Sequence, residues 1–176
     1  QAGRIIDDQV FTNKDAMSAN DIQSFLNAQV SVCDTNHPAG SGAQGAQPPW
    51  ICLKDFTENG ISGAQIIYNA AQTYSINPRV LIVTLQKETG LITDTWPYPW
   101  QYRSAMGYGC PDSDPGVCNS AYYGFTNQVQ NGARQFHQFV TQTASFQPFR
   151  PGNNYILYNP NGGCGGTTVN IQNNAT

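Results

Sequence analysis

The sequence predicts a mainly helical α+β domain with irregular, disulfide-bonded loops and a C-terminal β-hairpin. Three observations carry that expectation. Apolar residues recur at helical spacing between capping residues, cysteines bracket Gly- and Pro-rich loops, and the tail alternates around a glycine-rich turn. One domain is expected over residues 1–176. It divides into an irregular N-terminal region with one helix (1–60), a helical core (61–145) and a β-hairpin tail (146–176).

The N-terminal helix is expected at about 19–29, with Ser18 or Asn20 as its cap and Ile22, Phe25 and Leu26 as its apolar stripe. A Gly/Ala/Gln/Pro loop follows from Pro38 to Pro49. Ser62 caps a second helix to about Tyr74, with Ile66, Ile67 and Ala70 on one side. Asn77-Pro78 then restarts the chain as a helix, an N-cap side chain followed by proline at the first helical position. From Pro78 to Glu88 this helix is apolar on nearly every side until Gln86, which predicts a central, buried position, and Thr89-Gly90 ends it. Residues 91–123 are aromatic, Pro-rich and looped. A long helix is expected at about 126–143, with Val129, Ala133, Phe136, Phe139 and Val140 at three- and four-residue spacing. Tyr155–Tyr158 and Thr167–Ile171 then flank the hairpin turn.

Composition narrows the function. Charged residues make up 11% of the chain, the net charge is −3, and the eight Lys and Arg are scattered, which excludes a nucleic-acid surface. With 39% apolar residues the chain fills a core and is not disordered. Its 17 Asn and 17 Gln outnumber Lys, Arg, Asp and Glu taken together, a neutral amide surface suited to hydroxyl-rich ligands. Cys33 with Cys52, and Cys110 with Cys118, close two loops as local disulfides, which implies an oxidising compartment; Cys164 is left over. No Cys pair has zinc-ribbon or redox spacing, and Gly107-Tyr108-Gly109 is a lone fragment of a dinucleotide motif, so neither metal nor cofactor is expected. No apolar run reaches the roughly 20 residues of a membrane span. A mature, secreted or cell-surface monomer is the expectation.

Glu88 is the most informative position. It shares a helix side with Leu81, Thr84 and Leu85, in the last turn, where the helix dipole disfavours a negative charge. Shelter from water there would raise its pKa and suit it to general-acid work. The alternative is an exposed boundary glutamate beside Lys87. Trp96-Pro97-Tyr98-Pro99-Trp100-Gln101-Tyr102 follows, with rings held by proline for stacking on sugars or for packing the rim. Tyr122-Tyr123-Gly124-Phe125 precedes Asn127 and Gln128, whose amides would bond a hydroxyl or N-acetyl group or face water. His37 and His137 have no nucleophile in pattern, which argues against a triad.

The segments Leu85–Leu91, Trp100–Asp112 and Tyr122–Gln128 resemble secreted cell-wall proteins of Gram-positive bacteria, similar in turn to the lysozyme-like superfamily with its lytic transglycosylase and glucosaminidase branches. In that superfamily a helix ends in Glu, then Ser or Thr, then Gly, as does Glu88-Thr89-Gly90. The resemblance implies a lysozyme-like domain with Glu88 as the acid. It also implies a glycan contact surface of Thr89, Trp96, Trp100, Tyr102, Ser104, Met106, Tyr108, Asp112, Tyr123 and Gln128. The transglycosylase Gly-Leu-Met-Gln signature is absent, so muramidase, lytic transglycosylase and N-acetylglucosaminidase chemistry stay open.

After Glu88 the remaining acids are Asp94, Asp112 and Asp114. A two-carboxylate glycosidase needs its partner about 5–9.5 Å away. None is compelling by position, which favours a one-carboxylate scheme on peptidoglycan or a chitooligosaccharide-like glycan. The alternatives are a non-catalytic wall-glycan-binding or adhesion module on the same scaffold, and a protein-binding surface scaffold.

Overall fold

The computed structural model describes residues 3–111, 118–145, 148–159 and 162–176. A one-turn helix α1 (Asp8–Phe11) leads to α2 (Ala19–Gln29). The Ser18 hydroxyl accepts from the Asp21 N–H while the Asp21 carboxylate accepts from the Ser18 N–H, so both ends of a capping box are closed around the start of α2. A two-residue hairpin, β1 (Thr57–Glu58) and β2 (Ile61–Ser62), feeds α3 (Gly63–Tyr74), and the Ser62 hydroxyl accepts from the Gln65 N–H as its cap. Helix α4 (Pro78–Thr89) begins on the Asn77 side chain, which accepts from the Arg79 N–H, and stops at Gly90. A short α5 (Pro99–Arg103), the long α6 (Phe125–Val140) and the hairpin β3 (Gly152–Leu157)–β4 (Gly166–Ile171) complete the order.

The mainly helical α+β class is as the patterning predicts. Three expectations change. The central helix is α3, which packs against α2, α4 and α6. Its Gly63, Ala64, Ala70 and Ala71 are all buried, and such small side chains let three neighbours approach. Helix α4 buries Leu81, Ile82 and Leu85 but leaves Val83 exposed, and Gln86, Lys87 and Glu88 with it. An apolar residue on a helix face does not prove that the face is covered. The second change is the β1–β2 hairpin, in a region expected to be irregular. Asn59 and Gly60 both take positive φ, 54° and 77°, the conformation of a tight primed hairpin turn. The third is α5, a single turn in the expected loop.

The core joins Ile22 and Leu26 of α2, Ile66 and Ile67 of α3, Leu81 and Leu85 of α4, and Val129 and Ala133 of α6. Phe136, Phe139 and Val140 are only half-buried, because the last turns of α6 run beyond that core. The two ends of the described chain are tied together: the Asp8 carboxylate accepts from Asn173 Nδ2 and the Ala175 N–H, and the Gln172 N–H donates to the Gly3 carbonyl. In the C-terminal hairpin Gly152 pairs with Ile171 and Leu157 with Gly166, and Tyr155, Leu157 and Tyr158 face outward. Disulfides join Cys33 to Cys52 and Cys110 to Cys118, while Cys164 is an exposed free thiol. Among the described residues, no helix is long and apolar enough to cross a membrane.

Candidate functional site

The end of α4 is stitched to the loop that follows α5. The Thr89 hydroxyl lies 3.2 Å from the Leu85 carbonyl, an ordinary helical back-bond, and 3.3 Å from the Ala105 carbonyl, which ties it across to the loop. From the other side, Gln101 Nε2 donates to the Thr89 carbonyl and to Asp94 Oδ2, both at 2.8 Å, and Gln101 Oε1 accepts from the Tyr98 N–H. Gln101 is buried and uses its whole amide in this knot.

The loop itself is shaped by Gln128 of α6, which is fully buried. Its Oε1 accepts from the Met106 N–H at 3.1 Å and the Tyr108 N–H at 3.0 Å; its Nε2 donates to the Tyr108 carbonyl at 2.9 Å and the Tyr122 carbonyl at 2.7 Å. One buried amide therefore satisfies four backbone groups of the loop, at Met106, Tyr108 and Tyr122. Held this way, Gly107 takes φ +67° and turns its bare Cα toward Glu88. A Cβ at that position would stand 3.1 Å from Glu88 Oε2, so the carboxylate occupies the space a side chain would fill.

Glu88 is not sheltered from water as its helix position suggested. A third of its side chain is exposed, and Lys87 Nζ lies 3.0 Å from Oε1. The boundary placement beside Lys87 is what the structure shows, because the core-facing side of α4 ends at Leu85.

The expected glycan contacts divide. Tyr102 belongs to the core: its ring stacks on Phe56 with centroids 4.1 Å apart, and its hydroxyl donates to the Ile51 carbonyl. Burial, with help from the nearby charges of Asp94 and Asp55, pushes that phenol far above its ordinary pKa. Met106 is buried too, against Gly132 of α6, and Gln128 is spent on the loop. None of the three presents a free group to a ligand. Trp100, Ser104 and Tyr123 line a pocket of about 240 Å³ with Gln44 and Arg103. There Trp100 Nε1 donates to the Gly42 carbonyl, the Ser104 hydroxyl donates to the Trp100 carbonyl, and the Arg103 guanidinium lies over the Tyr123 ring. Trp96 is stacked flat on His37, ring centroids 3.9 Å apart. Tyr108 is next in sequence to Gly107, and its ring meets Tyr122 edge to face with centroids 4.8 Å apart.

Asp94 is committed elsewhere. One oxygen accepts from the Trp96 N–H and the other from Gln101, so both brace the loop. Asp112 and Asp114 lie outside the described residues.

Sequence reading missed Glu58. Its two oxygens accept from the Phe125 N–H at 3.1 Å and the Thr126 N–H at 2.8 Å, supplying from a distant hairpin the cap that Gly124 cannot give to α6. It borders an apolar hollow of about 340 Å³, walled by Trp50, Phe56, Tyr102 and Phe125. The signal that could have found it is Asn59-Gly60, a hairpin turn that makes Glu58 a strand residue aimed across the chain.

Over residues 4–154 the sequence matches the family described as LasA, N-terminal domain. The chain belongs to that family. It is this family, and not a lysozyme-like one, that the match names. The LasA N-terminal region so defined takes in α1 through α6 and the first residues of β3, so Glu88, Gly107 and Gln128 all fall inside it. No curated protein and no solved structure matches the chain.

Proposed function

We propose that this LasA N-terminal-type domain acts outside the cell on the glycan strands of bacterial cell wall, with Glu88 as general acid in a lysozyme-like arrangement. The observation that carries the reading is the apposition of Glu88 and Gly107: a carboxylate at the end of a helix, facing a glycine turn whose flanking N–H groups are held by a buried glutamine. A sugar laid over that turn would displace water from the carboxylate and bring its glycosidic oxygen within reach. With Asp94 committed to the loop, the scheme uses one carboxylate. Glu88 protonates the leaving oxygen, and a hydroxyl or N-acetyl group of the substrate, or water, completes the step. The bond proposed is the β-1,4 link between N-acetylmuramic acid and N-acetylglucosamine. The chain would act as a monomer. The two disulfides fit an extracellular setting, and the family takes its name from LasA, a staphylolytic peptidase-like protein.

The second reading is a wall-binding module without turnover, and the Lys87 contact to Glu88 favours it, because Lys87 Nζ already occupies one oxygen of the carboxylate. Incubation of purified peptidoglycan with the domain, followed by mass spectrometry of released fragments, separates the two. Cleavage yields new reducing ends or anhydro-sugars within hours. A binder sediments with the wall and releases nothing.

A further inference from the structure

Arg134 is the only one of the five arginines that is not exposed, and it has no carboxylate partner among the described residues. Its Nη2 donates to the Tyr108 hydroxyl at 3.1 Å and to Asn131 Oδ1 at 2.9 Å. Both acceptors are neutral. A guanidinium carries five N–H donors, and among the described residues its Nε and Nη1 donors have no hydrogen-bond partner. Removing a cation partly from water without a counter-charge is costly, and fixing it with two hydrogen bonds adds an ordering cost. Such a group is poised for an anion.

Its location says which anion. Arg134 ends a polar stripe on α6 with Asn127 and Asn131 at four- and three-residue spacing. Asn131 Nδ2 donates to Asn127 Oδ1, and Asn127 Nδ2 donates to the Ala121 carbonyl, so the row is locked in one orientation. The Tyr108 side chain links this row to the turn that faces Glu88, because Tyr108 directly follows Gly107.

We infer that Arg134 is a specificity-determining residue that binds a carboxylate of the glycan strand, and so selects strands containing muramic acid over neutral ones. The inference rests on the glycan reading of the Glu88 site. N-Acetylglucosamine polymers carry no charge, whereas each muramic acid carries a lactyl carboxylate, and charge-assisted hydrogen bonds from a preset guanidinium recognise that group.

The test uses the chain with Glu88→Gln, so that ligands stay intact, and two probes of equal length: chitotetraose, and a peptide-free tetrasaccharide of alternating N-acetylglucosamine and N-acetylmuramic acid. Calorimetric titration is expected to show tighter binding of the acidic tetrasaccharide, weakening with added salt. Adding Arg134→Gln should cost that ligand about 10- to 100-fold in affinity and leave chitotetraose unchanged. Arg134→Lys, which keeps the charge, should retain part of the preference and guards against a folding artefact. Equal affinity for both probes before Arg134 is touched, or an equal loss on both after it, overturns the carboxylate assignment while leaving the glycan site standing. Binding of neither probe overturns the glycan site, and the assignment with it.

Discussion

Two glutamates of this chain occupy opposite situations at helix ends. Glu58 sits at the N-terminus of α6 with both oxygens taken by backbone N–H groups, where the helix dipole favours its charge. Glu88 sits in the last turn of α4, where the dipole opposes its charge; one oxygen is near a lysine and the other faces a turn without a side chain. The first is consumed by structure. The second has a free side. A carboxylate is available for chemistry to the extent that its surroundings leave it unsatisfied, and the backbone around Glu88 does so by way of Gln128.

That contrast can be broken at several points. The largest effect is expected at Gln128→Leu, which leaves four buried or part-buried backbone groups without their partner and should destabilise the fold by about 3 kcal/mol, read as a lower urea midpoint, with the Glu88 site lost as the loop relaxes. Next comes Gly107→Ala. A left-handed backbone costs an L residue about 1–2 kcal/mol, and the new Cβ would push the carboxylate aside. Glycan turnover should fall about 100-fold for a shift near 1 Å, while circular dichroism stays unchanged. Glu58→Gln keeps an acceptor but loses the charge, so a loss of about 1 kcal/mol in thermal unfolding is expected, with turnover intact. The smallest effect concerns acid. Hydrogen bonds from Ser18 hold the Asp21 carboxyl below its ordinary 3.8, so its stabilisation is present above that pH and is lost as pH falls through the lower folded-state value. Ser18→Ala should flatten the acid limb of a stability–pH curve below about pH 4.

Much of the helical frame was legible from local signals. Ser18, Ser62 and Asn77-Pro78 mark helix starts because capping is a short-range matter of one side chain and one N–H. The disulfides followed from loop composition for the same reason. Burial was less legible. Leu85 and Glu88 share a helix side, yet only a tertiary neighbour decides where cover ends, and at Glu88 it ends. Gln128 reads from sequence as a first-turn amide able to meet a sugar; its consumption by four backbone groups depends on a loop twenty residues away. Glu58 escaped attention because its role is a contact with α6 sixty-seven residues on.

The central claim is that the Glu88 carboxyl transfers a proton to a glycosidic oxygen. Release of reducing ends and anhydro-sugars from purified peptidoglycan, compared for the native chain, Glu88→Gln and Glu58→Gln at matched folding, tests it directly. General-acid catalysis predicts a loss of about 100- to 10,000-fold for Glu88→Gln alone. Equal turnover by the native chain and Glu88→Gln would contradict it.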